Sequence, residues 1–87
     1  MATIIVTHDV VDYAAWKPKY DEDSARRASQ GIKELAVGSQ SDNPKKVYLI
    51  WEADPALVEQ MLQDPELAVK MKEAGVAGKP EVVVLNS

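Results

Sequence analysis

The chain has 87 residues with no cysteine and no phenylalanine, a length that holds one hydrophobic core and excludes two, so residues 1–87 are read as a single domain. Ten Lys and Arg against fourteen Asp and Glu leave a net charge of −4, which argues against the basic stripe of a nucleic-acid binder. The lack of cysteine removes disulfides, thiolate nucleophiles and zinc–cysteine sites, and no apolar run approaches the ~20 residues that cross a bilayer.

Ala2 to His8 is β-branched and apolar, with Ile4, Val6 and His8 on one face and Thr3, Ile5 and Thr7 on the other. Neither face is strongly polar, which predicts a strand covered on both sides. The opening Met-Ala-Thr-Ile lacks a basic leader, so it reads as a strand and the expected location is cytoplasmic. Asp12 suits a helix cap, and Tyr13, Trp16 and Tyr20 fall on one helical stripe. Pro18 predicts a short turn over Asp12–Lys17 with the main helix starting near Pro18 and ending at Gly31.

Ile32 to Ser41 is the weakest strand, and Ser41-Asp42-Asn43-Pro44 has turn chemistry. Val47 to Trp51 is the strongest strand, apolar on both faces. Asp54-Pro55 and Asp64-Pro65 each place a capping carboxylate before a proline, which predicts two short helices in place of one. Gly75 ends the second, Gly75–Pro80 reads as a connector, and Glu81 to Leu85 closes as a strand.

The order β-α-β-β-α-β, with the second α split, predicts an α+β ferredoxin-like domain. Its two interleaved β-α-β halves make a four-stranded antiparallel sheet with the helices on one face. The other sheet face carries apolar residues, and an exposed apolar face at this size marks an interface. The expectation is a homodimer, two sheets meeting face to face as an α+β barrel.

The run His8-Asp9-Val10-Val11-Asp12-Tyr13-Ala14-Ala15-Trp16 resembles the His-x-Val-x-Asp-Tyr-x-x-Trp opening of small dimeric α+β-barrel proteins in the antibiotic-biosynthesis-monooxygenase-like superfamily. Arg27 with Gly31-Ile32, Asp42-Asn43-Pro44 through Glu52, Pro65-Glu66-Leu67 and Ala74-Gly75-Val76 are similar to its later segments, so the resemblance spans nearly the whole chain. It implies the fold. For activity it implies only a range, from cofactor-free monooxygenases to isomerases, cyclases and haem degraders. The only histidine lies on the first strand, and the asparagines, Asn43 and Asn86, sit in a turn and at the C-terminus, so the haem-degrader set is missing.

His8 is the candidate acid-base, because imidazole alone titrates near neutral pH unaided; the plain alternative is a strand-end histidine bonded to the cap at Asp12. One histidine gives too few nitrogen ligands for zinc or iron, so neither a metal nor a cofactor is expected. Trp16, Tyr20, Tyr48 and Trp51 are candidate ligand-wall residues, with core and interface packing as the alternative. Tyr48 and Trp51 lie on opposite faces of one strand, so at most one of them faces a given cavity. Arg27 is a candidate for a ligand carboxylate, with a solvated helix charge, like Arg26, as the alternative. Asp21-Glu22-Asp23 fans around its helix and makes no metal cage. Two readings of function follow. One is a dimer binding a small, largely apolar or aromatic molecule, with cofactor-free monooxygenase or isomerase/cyclase-type chemistry. The other is a non-enzymatic dimeric interaction or scaffold module with a packed barrel interior.

Overall fold

Strict alternation sorts the first strand onto two faces. Ile4, Val6, His8 and Val10 are buried on one side of β1 (Ala2–Val10), and Thr3, Ile5 and Asp9 occupy the other. The structure, a computed structural model, describes residues 2–85; Met1, Asn86 and Ser87 lie outside the described residues. The remaining elements are α1 (Tyr13–Glu22), α2 (Ser24–Ser29), β2 (Lys33–Gln40), β3 (Asn43–Ala53), α3 (Pro55–Leu62), α4 (Pro65–Glu73) and β4 (Val76–Leu85). The four strands form one antiparallel sheet in the order β2-β3-β1-β4. The chain is an α+β ferredoxin-like domain, as its element order predicts.

Register extends the two faces across the sheet. Ile4, Val6 and His8 stand opposite Trp51, Leu49 and Val47 of β3, while Ile5 and Thr7 stand opposite Ile50 and Tyr48. The first set is buried with Trp16 and Tyr20 of α1, Ile32 and Val58 of α3, which makes this the helix-covered face and the core. On the other face Ile5 and Ile50 are half-buried, and Val83 of β4, paired with Ile5, is 50% exposed. The sequence expectation of an apolar face uncovered by helices is met within the chain.

Three boundaries differ from expectation for local reasons. The first helix begins at Tyr13, not near Pro18, because the Asp12 carboxylate accepts from the Ala14 N–H and the Trp16–Tyr20 stripe is buried. Burial of two large rings outweighs the one helical hydrogen bond that Pro18 removes. The break falls later, at Asp23, between α1 and α2. The hairpin turn is only Ser41-Asp42, and β3 already includes Asn43 and Pro44. Pro44 lies beyond the β1 register, which starts at Lys46, so its missing N–H leaves that ladder intact.

Finally, β4 begins at Val76 and takes in most of the expected connector. It accommodates Gly78-Lys79-Pro80 as an irregularity: Glu81 pairs with Thr7 and Ala77 with Asp9, and Gly78 takes φ +76°. The two-helix reading of the second crossover holds. Asp54 and Asp64 accept from the N–H groups of Ala56 and Glu66 at 3.0 Å each, with Pro55 and Pro65 at the first helical turn. Among the described residues no helix is long and apolar enough to cross a membrane.

Candidate functional site

Between the helices and the covered sheet face lies a cavity of about 390 Å³. Val6 and His8 of β1 and Leu49 and Trp51 of β3 line it from the sheet. Val58, Met61 and Leu62 of α3 and Leu67 and Met71 of α4 line it from the second crossover. Trp16 and Tyr20 of α1, Arg26 and Arg27 of α2, and Asp23, Ala74 and Val76 complete the lining, with Lys19, Glu22, Lys70 and Glu73 exposed at the rim. The division of α3 from α4 bends the second crossover around this space. A long amino side chain reaches between the helices at its rim, Lys19 Nζ donating to the Glu73 carbonyl at 3.4 Å.

One wall is a column of rings. The His8 ring meets Trp16 edge-on at 5.4 Å, Trp16 stacks on Tyr20 at 5.0 Å, and the Arg27 guanidinium lies 3.6 Å above the Tyr20 ring. These contacts follow from the Trp16–Tyr20 spacing of four residues, which aligns both rings on one side of α1. The Tyr20 hydroxyl accepts from Trp51 Nε1–H at 3.0 Å and donates to the Glu34 carboxylate. Burial, reinforced by the bond to Glu34, pushes the Tyr20 phenol well above its ordinary 10. It is a fixed neutral hydrogen-bonding group, unsuited to act as a base near pH 7.

His8 is 6% exposed. Burial lowers its pKa from the ordinary 6.5, partly opposed by its hydrogen bond to the Asp9 carbonyl and by the Asp9 charge. The ring is therefore neutral at pH 7. Its Nδ1–H donates to Asp9 O at a long 3.4 Å, which leaves Nε2 as the unprotonated nitrogen. The expected alternative partner, Asp12, caps α1 instead. His8 also borders a smaller hollow of about 90 Å³ beside the β4 irregularity, with Thr7, Lys46 and Lys79.

Of the six candidate site residues, the fold gathers His8, Trp16, Tyr20, Trp51 and Arg27 around the cavity. Tyr48 is not among them: it lies on the open sheet face and donates its hydroxyl to Gln40 at 2.9 Å. Arg27 is not a solvated helix charge, since it is only 6% exposed, whereas Arg26 is half-buried and pairs with Asp23 at 3.4 Å. Asp21 pairs with Lys17 at 2.7 Å. Among the described residues no cluster of three His or carboxylate side chains suits a metal ion. Sequence reading did not assign Met61, Leu67 and Met71 to the site. Their apolar periodicity marks a buried face, and periodicity is identical for a packed core and a cavity wall.

The sequence matches no known family profile and no curated protein. Solved structures do match over essentially the full length. A candidate antibiotic biosynthesis monooxygenase from Bordetella bronchiseptica superposes with a TM-score of 0.75 at 15% identity, over 99% of this chain and 95% of that one. An antibiotic biosynthesis monooxygenase gives 0.68 at 16% identity, over 100% and 98%. The chain has the fold of these proteins. An uncharacterized NIPSNAP domain protein from Burkholderia xenovorans shares it too, with a TM-score of 0.69 at 16% identity over 100% and 94%. At such identities the likeness is one of fold, and that fold is the one the His8–Trp16 opening implies.

Proposed function

We propose that the chain is a homodimeric α+β-barrel protein that binds one small, largely apolar molecule in the helix-side cavity of each subunit. The observation that carries this reading is the cavity itself, about 390 Å³, apolar over most of its wall and bordered by a neutral buried imidazole. A space of that size fits the range of small-molecule sites, which combine apolar walls with a few placed polar groups. Antibiotic biosynthesis monooxygenases among the structural neighbours support oxidation by molecular oxygen as one chemistry; isomerisation or cyclisation is what the resemblance of the sequence implies. Each is open to a first step in which an acidic proton is removed from the substrate. His8 is the group for it, a base held neutral at pH 7.

Dimerisation proceeds through the open sheet face. Ile5, Ile50, Val83 and Leu85 share that face, and the last two are 50% and 43% exposed. A second sheet laid on this face covers the apolar set. Tyr48 then belongs to the interface and Trp51 to the ligand wall.

Native mass spectrometry of gently purified protein tests both parts. The expected spectrum is a dimer carrying extra mass that leaves on denaturation. A dimer free of extra mass, with no small molecule taken up from an added library, contradicts the ligand reading and favours a non-enzymatic dimeric module. A monomer at micromolar concentration contradicts the barrel.

A further inference from the structure

The proposed ligand site contains a charge that the protein does not neutralise. Arg27, in the last turn of α2, is 6% exposed and lines the cavity. Among the described residues no carboxylate lies within salt-bridge distance of its guanidinium and no side chain or carbonyl accepts from it; its contact is the Tyr20 ring face at 3.6 Å. A guanidinium stays protonated at any physiological pH, and a ring face compensates only part of the hydration it loses. Its neighbour Arg26 differs, its guanidinium being held by Asp23 and Gln30. Arg27 thus leaves N–H groups without a protein acceptor at the wall of a mostly apolar space.

We propose that the cavity is built for a small monoanion, an apolar body bearing one carboxylate, with Arg27 as the anion anchor. The proposal rests on reading this cavity as the ligand site and names the ligand's chemical class. The planar fork of a guanidinium matches a carboxylate bidentately, and burial strengthens that pairing. The apolar body lies against Leu49, Met61 and Met71.

Two probes of nearly equal shape, 2-naphthoate and 2-naphthamide, test it by calorimetric titration of the full chain. The wild type binds the naphthoate about tenfold or more tightly than the amide, as charged hydrogen bonds predict. Arg27→Met brings the naphthoate down to the level of the amide and leaves amide affinity within about twofold. Equal affinity of the wild type for the two probes overturns the anion anchor while leaving an apolar site in place. A preference that survives Arg27→Met overturns the assignment to Arg27. Binding of neither probe overturns this proposal together with the cavity reading. Should Arg27→Met fail to fold, Arg27→Gln takes its place with the same expected loss of preference, and parity of the wild type for the two probes removes the anchor.

Discussion

Tyr20 is the residue on which the cavity wall depends. Its ring separates Trp16 from Arg27, and its hydroxyl joins Trp51 to Glu34. Tyr20→Phe keeps the stack but strands the buried Trp51 Nε1–H, so it should destabilise the fold by about 1–3 kcal/mol in chemical denaturation. His8 makes a prediction of opposite character, in pH. Its folded pKa lies below the ordinary 6.5, so between those two values the unfolded chain binds more protons than the folded one. The stability His8 contributes is complete above about 6.5 and is lost as pH falls through its folded pKa. An NMR titration should place the imidazole midpoint below 6.5, and His8→Phe should flatten the loss of stability as pH falls below about 6.5. The sequence shows His8 and Trp16 as strand-end and helix-stripe residues; it does not show that their rings touch, because that contact depends on how α1 settles on the sheet.

At the scale of elements, the legible features were those with local causes. Three aspartates cap three helices as their sequence contexts predict, and Asp-Pro pairs divide the second crossover. Asp54→Ala should therefore cost about 1 kcal/mol, read as a lower denaturation midpoint with unchanged slope. The features that misled were those in which tertiary burial overrode a local signal. Pro18 sits inside α1 because Trp16 and Tyr20 are buried on either side of it. Lys79-Pro80 joins β4 because the sheet edge tolerates an irregularity around Gly78. Arg27 shows the same limit at the site. Next to Arg26 in a polar run, sequence leaves a ligand-facing and a solvent-facing charge both open for it, and only the approach of α2 to Tyr20 buries it.

The whole molecule presents two apolar surfaces of different kinds, one concave beneath the helices and one open across the sheet. Sequence alternation announces both faces of β1 and β3, yet parity cannot say which of them the helices cover; that choice assigns Trp51 to the cavity and Tyr48 to the open face. The open face accounts for assembly in the proposed dimer. Ile50→Lys, at the centre of that face opposite Ile5, should yield a folded monomer by sedimentation, with its far-ultraviolet circular dichroism unchanged. A dimer that persists in the variant would move the interface elsewhere. The concave surface accounts for ligand binding. Methyl-resolved NMR titration with 2-naphthoate separates the two surfaces in one experiment, because each carries its own methyl groups. The shifts should fall on Val6, Leu49, Met61 and Met71 and spare Ile5, Ile50 and Val83. Shifts confined to the open-face methyls, or none at saturating probe, would contradict the assignment of the helix-side cavity as the ligand site.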